Sequence, residues 1–232
     1  MCLHAQTGAA ESLKLLYEVR EPMFYRDAQG NLTGFIINRV NQASKIAGLK
    51  IDWVETPFKR QLKLVENNDE ALCAVGMFKN KEREQFAKFS LSIYRDSARP
   101  SIMLAHRNFQ PDKSMDLLRT LSIPGARMLK KETASYGTVI DDAIERSRIT
   151  IVSTTAESLN MAKMIAAHRA DFILVPEDEA LKMIASIEDR QNLHIFKPVG
   201  MPQGPERFLM CSAKVSDEIL QRMNRAIQKT HP

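Results

Sequence analysis

The residues best suited to chemistry gather in one stretch, Gly76–Tyr94, which reads GMFKNKEREQFAKFSLSIY. An apolar run, Ala71–Val75, stops at a glycine, a short polar turn follows, and Arg83 comes next. A guanidinium is a planar cation whose parallel N–H donors match a carboxylate two bonds at a time. Arg83 is therefore the candidate hook for a small anion-bearing molecule. Groups for acid–base catalysis are scarcer. Such work needs a titratable side chain held in a cleft. The acidic candidates are Glu18 and Glu177, and His106, His168 and His194 sit at unpromising places for catalysis. Cys2, Cys73 and Cys211 match neither a metal-ligand spacing nor a Cys-x-x-Cys motif. Cys73 and Cys211 each lie in an apolar run, and buried thiols or a disulfide between them are both open.

The 232 residues are 44% hydrophobic and 26% charged, a balance that suits one large or two small folded domains. The formal charge is +5, but basic and acidic side chains are interleaved. Lys130-Lys131 with Arg119 and Arg127 come nearest to a basic cluster, which argues against a nucleic-acid surface. No apolar run approaches the roughly 18 residues of a membrane span. The opening MCLHAQTGAAES lacks the basic-then-apolar order of an intact signal peptide, although Leu3-His4-Ala5 resembles the tail of one. Residues 1–12 are expected to be disordered or a signal-peptide remnant.

The elements that must position Arg83 alternate in period. Leu13–Glu18 reads as a strand, and Asp27–Asn31 as a tight turn rich in residues that tolerate positive φ. A helix opens at Gly34-Phe35 and stops at Gly48, with Ile36, Val40, Ala43 and Ala47 at helical spacing. Lys50–Glu55 alternates as a strand does. Thr56 is the expected cap of the next helix, with Pro57 at its first position. Ala71–Val75 is the next strand. The same alternation recurs from Asp116 to Ile195, and a last strand–helix pair, Arg207–Ser212 and Ser216–Gln228, is left over.

Such alternation predicts an α/β fold of mostly parallel sheets flanked by helices, with ligands at the C-terminal strand ends. The ends of the first three strands, Glu18–Arg20, Thr56–Arg60 and Gly76–Arg83, then converge. Two tandem units make two lobes, with the leftover pair returning to the first. Lobe 1 is expected over 13–102 plus 200–232 and lobe 2 over 103–199, with crossings near Ser101–Leu104 and Pro198–Gly204. Two connections and a cleft suit hinge closure around a ligand.

In this order the motifs resemble the bacterial extracellular solute-binding proteins of family 3, polar amino-acid receptors of ABC importers. DAQGNLTGF (Asp27–Phe35), ETPFKR (Glu55–Arg60), the pairing of GMFKNKERE with FAKFSLSIY (Gly76–Tyr94) and AHRADFIL (Ala167–Leu174) carry the resemblance, which runs from Leu13 to Gln228. It implies the type II two-lobed periplasmic-binding-protein fold with a two-strand hinge. It also implies that Arg83 pairs the ligand's α-carboxylate and that Gly76 and Phe78 line the pocket, Gly76 allowing close backbone approach. Phe58 falls where an aromatic ring packs on the ligand, and Glu18 where an acid meets a ligand amine. Ser135 and Tyr136 open a helix whose N-terminal N–H groups favour a carboxylate.

The chain also departs from the family pattern. Arg20 stands near the place of an aromatic lid, and Lys79 follows Phe78 where an apolar or hydroxyl residue is usual. Pro176, with Glu177 beside it, replaces the amine-binding Asp. A cleft with three cations, Arg20, Lys79 and Arg83, points to an amino acid or another organic anion. The resemblance implies a monomeric periplasmic binding protein without cofactor or catalysis, whose partners are the ligand and an ABC permease. A sensory domain feeding a signalling partner, and a dehydratase-like enzyme on the same fold, are the alternatives.

Overall fold

The structure, a computed structural model, describes residues 11–95, 101–204 and 206–230. The signal-peptide remnant expected over 1–12 lies outside these residues, Cys2 included, except at its end, where Ser12 is already the first residue of a strand.

The chain opens with β1 (Ser12–Tyr17), the hairpin β2 (Tyr25–Arg26) and β3 (Leu32–Thr33), α1 (Phe35–Ala47), β4 (Lys50–Glu55) and α2 (Phe58–Asn67). Then come β5 (Leu72–Met77), the single turn α3 (Lys81–Glu84), β6 (Lys88–Phe89) and β7 (Tyr94–Arg95). A second run follows with β8 (Ser101–His106), α4 (Leu117–Leu121), β9 (Arg127–Lys131), α5 (Thr138–Ser147), β10 (Thr150–Thr154) and α6 (Ser158–Ala166). It ends with β11 (Phe172–Pro176), α7 (Glu177–Ala185) and β12 (Leu193–Phe196). β13 (Glu206–Cys211) and α8 (Asp217–Thr230) complete the chain.

Two sheets organise these elements, one in the order β4-β1-β5-β13-β6 with β7 on β13, the other β10-β9-β11-β8-β12. β1 is parallel to β4 and β5, and β9 to β10 and β11. β13 runs antiparallel to β5, β6 and β7, as β8 does to β11 and β12. Each sheet with its helices forms a lobe. β8 belongs wholly to the second sheet, whereas the expected bounds gave Ser101 and Ile102 to lobe 1. The reason is its pairing with β11 and β12 along its length, register Ser101↔Pro176 to Ala105↔Phe172.

Alternation sorts the core onto the two faces of each sheet. Leu13, Leu15 and Tyr17 of β1 pack under α1 and α8, whose buried residues include Ile36, Val40, Met223 and Ile227. Leu16 faces the other way, onto Val65 of α2 with Ala74 and Met210. Each such side chain removed from water contributes about 1.5–3 kcal/mol. Cys73 and Cys211 are register partners in β5 and β13 on the first face, and they form a disulfide.

Gly34 is needed where α1 begins. Its φ is 129°, and a Cβ there would come within 2.1 Å of the Met23 carbonyl oxygen. Thr56 does not cap α2, contrary to expectation: its hydroxyl donates to Val54 O at 3.2 Å and Pro57 holds the cap position. Ser216 does cap α8, with Ile219 N donating to its Oγ at 3.2 Å.

Candidate functional site

A cavity of about 100 Å³ lies between the lobes at the C-terminal ends of β1, β5, β9 and β11. The first lobe contributes Glu18, Arg20, Phe58, Gly76, Phe78 and Arg207 to its wall. The second contributes Lys131, Ser135, Tyr136 and Glu179, over an apolar floor of Met161, Ile173, Val175 and Met183. Gly76 has φ 78°, and a Cβ would sit 3.2 Å from the Phe24 ring, so a larger residue would crowd the turn that brings this backbone to the cavity.

Charge is arranged in pairs across the cleft. The Arg20 guanidinium meets the Glu179 carboxylate at both oxygens, Nε to Oε1 at 2.7 Å and Nη2 to Oε2 at 2.7 Å, and Glu179 is only 1% exposed. Burial works against the Arg20 charge, yet Glu179 more than offsets it and holds the guanidinium pKa above its ordinary value. Lys131 Nζ pairs with Glu18 Oε2, while Glu18 Oε1 accepts from Phe58 N at 3.0 Å and so satisfies a free donor at the start of α2. Lys59–Glu132 (2.6 Å) and Lys182–Glu21 (3.1 Å) add two bridges between the lobes.

Arg207 differs from these. Its Nη1 donates to Gly76 O at 3.0 Å, and its guanidinium lies 4.5 Å from the centre of the Phe78 ring. No carboxylate among the described residues is within ion-pair distance. Burial pushes its pKa down to about 9, and the neighbouring Arg20 cation presses the same way. Burial pushes the Tyr136 phenol up, so it stays neutral. Among the described residues no cluster of His, Cys, Asp and Glu is placed to hold a metal ion.

A model of the bacterial extracellular solute-binding proteins, family 3, matches residues 13–231. The chain belongs to this family. Its fold is the family's two-lobed type II periplasmic-binding-protein fold, and solved structures bear the likeness out. An ancestral arginine-binding protein bound to arginine superposes with a TM-score of 0.73 at 17% identity, over 94% of this chain and 91% of that one. A structure from glutathione import in Gram-positive bacteria, via GshT and the cystine ABC importer TcyBC of Streptococcus mutans, gives 0.73 at 13% identity, over 95% and 89%. An ancestral amino-acid-binding protein described as a precursor of cyclohexadienyl dehydratase gives 0.69 at 16% identity, over 94% and 88%. At these identities the likeness speaks for the fold alone. No curated protein matches the sequence.

Within this family 3 frame the structure brings Glu18, Arg20, Phe58, Gly76, Phe78, Ser135 and Tyr136 together around one cavity. Three expected residues stand outside it. Arg83 is 4% exposed, but its Nη1 donates to Phe78 O at 2.8 Å and its Nη2 to Thr133 O at 3.2 Å, so two backbone carbonyls occupy the expected hook. Lys79 points to the surface and pairs with Glu84 at 2.9 Å. Glu177 pairs with Lys197 at 2.7 Å. Glu18, expected to meet a ligand amine, has both oxygens engaged by Lys131 and Phe58 N. The Ser135 hydroxyl and the Tyr136 backbone N–H are taken too, since Asp141 of α5 accepts from Ser135 Oγ and from Tyr136 N at 2.9 Å. Lys131, Glu179 and Arg207 line the cavity as well, beyond the residues to which the motifs point. Helical spacing back from Ile187 and Met183 puts Glu179 on the buried face of α7, a signal present in the sequence. Arg207 is a cation in a run otherwise apolar, RFLMC.

Proposed function

We propose that this protein is a periplasmic receptor that captures a small polar, carboxylate-bearing solute between its lobes and hands it to an ABC importer, without catalysis. One observation carries the ligand class: the cavity wall holds three cations, Arg20, Lys131 and Arg207, against two carboxylates, Glu18 and Glu179. Both carboxylates are already paired, which leaves a surplus of positive charge facing the cavity. Arginine and glutathione, named for two structural neighbours, both carry carboxylates. Neither glutamate is free to serve as a general base. The Cys73–Cys211 disulfide fits an oxidising compartment outside the cytoplasm.

Binding acts by population shift, the ligand favouring the closed form because it touches both lobes. Arg83 is assigned to that closure: its bond to Thr133 O joins the first lobe to the second. A thermal-shift screen tests the reading with amino acids and dicarboxylates set against uncharged sugars and polyamines. A ligand that binds only the folded state at a hundred times its Kd adds about 2.7 kcal/mol, so carboxylates should raise the Tm. A response confined to sugars or polyamines would sink the proposal.

A further inference from the structure

We propose that Arg207, which lies outside the turn expected to supply the carboxylate hook, is the residue that takes the ligand's carboxylate. The inference rests on reading the cleft as a carboxylate site and names the group that makes it one. Arg207 is 6% exposed and lines the cavity. A guanidinium has five N–H donors. Here one nitrogen is used on Gly76 O, and the Phe78 ring uses the face of the cation rather than its edge. Among the described residues no carboxylate forms an ion pair with it, and Glu179 and Asp178 favour its charge only from a distance, so a buried charge is left incompletely offset, which is costly to the folded state. The other wall cations, Arg20 and Lys131, are paired with carboxylates, and Arg83 lies outside the wall. Arg20 is matched at both carboxylate oxygens by Glu179, Lys131 is held by Glu18, and Arg83 is spent on two carbonyls. Among the described residues Arg207 is thus the one cation of the wall without an ion pair of its own. Its pKa, lowered by burial, has the same cause.

Its place in the fold adds a mechanism. Arg207 is the register partner of Tyr94 in the β7–β13 ladder, on the strands that lead into and out of the second lobe. Phe78, stacked on the guanidinium, follows β5 in the turn whose Phe78 carbonyl accepts from Arg83. An anion docked on Arg207 therefore touches the pivot and, through Phe78, the Arg83 bridge to the second lobe. Occupancy at one residue is coupled to closure at another.

Wild type, Arg207→Met and Arg207→Lys are compared by calorimetric titration with acetate, succinate and L-glutamate, and by melting without any of them. Wild type should bind at least one probe, and Arg207→Met should lose at least about tenfold in affinity, as loss of a charge-assisted pair implies. Without probe, Arg207→Met should melt no lower than wild type, because an apolar side chain replaces a buried charge with no ion pair among the described residues; a merely structural arginine would give the opposite. Arg207→Lys keeps the charge and loses the fork, so it should melt like wild type and bind more weakly. That variant decides the matter should Arg207→Met fail to fold. Wild-type affinity in either variant would overturn the role of Arg207 and leave the carboxylate receptor standing. Binding of no carboxylate by the wild type would overturn both.

Discussion

Breaking the Cys73–Cys211 disulfide should remove a large part of the stability of this protein while leaving its fold intact. The two half-cystines are 138 residues apart in sequence, and the loop they close contains the whole second lobe. In the chain-entropy account, a cross-link closing a loop of that length removes about 17 cal/mol/K from the unfolded ensemble, or about 5 kcal/mol at 25 °C. That is a third or more of the roughly 5–15 kcal/mol by which a folded domain is stable. The folded side of the balance changes less. β5 and β13 remain paired through Ala74↔Met210 and Val75↔Leu209, and the face carrying the cysteines stays packed under α1 and α8. Urea unfolding of the oxidised protein, the reduced protein and a Cys73→Ala/Cys211→Ala double variant measures the effect. With a urea slope of about 3 kcal/mol/M for a chain of this size, the midpoint should fall by about 1.7 M. A drop below about 0.5 M in both perturbed forms would show that closing this loop is not what the disulfide contributes.

Two further outcomes follow from charges in and behind the cleft. Glu179→Gln leaves the Arg20 guanidinium without its carboxylate across the lobes, and since Arg20 is partly solvated the loss should be about 1–3 kcal/mol. It should appear in small-angle scattering as a larger ligand-free radius of gyration, and an unchanged profile would exclude the pair as a latch. His106 is buried and stacked on His168 at 4.1 Å, and burial, followed by the charge of His168, depresses its pKa below 6.5. The folded protein therefore binds fewer protons than the unfolded chain just below pH 6.5, so this stability is complete above about pH 6.5 and falls as acid titrates toward the folded pKa. The Tm should decline from pH 7.5 to 5.5, and His106→Phe should flatten the decline; equal slopes would refute the assignment.

The alternation of strand and helix was legible because period 2 and period 3.6 need only about a turn's worth of residues to declare themselves. Elements of two residues offer no period, so β2, β3, β6 and β7 carry no strand signal in the sequence. β7 matters most among them, since it pairs with β13 where the chain changes lobe, and its register follows from a partner more than a hundred residues away. The cap of α2 is hidden in the sequence for a similar reason. A threonine before Pro57 looks like a local cap, but the oxygen that meets Phe58 N belongs to Glu18, at the end of a different strand.

The site divides along the same line. Glu18, Arg20, Phe58, Gly76 and Phe78 could be placed at the cavity because topology alone brings strand ends together. Whether a charged residue there is available to a ligand is a different question, for it depends on what else the fold sets beside it. Arg20 is counted as a ligand cation until Glu179, 159 positions away, pairs with two of its nitrogens. Arg83 has the right type and spacing for a hook, yet Phe78 O and Thr133 O receive its N–H groups. Spacing identifies which cations can reach the cleft, and subtraction of their partners identifies which remain. Carried through the three cations of the cavity wall, that subtraction leaves Arg207, a cation in an otherwise apolar strand with no ion pair among the described residues.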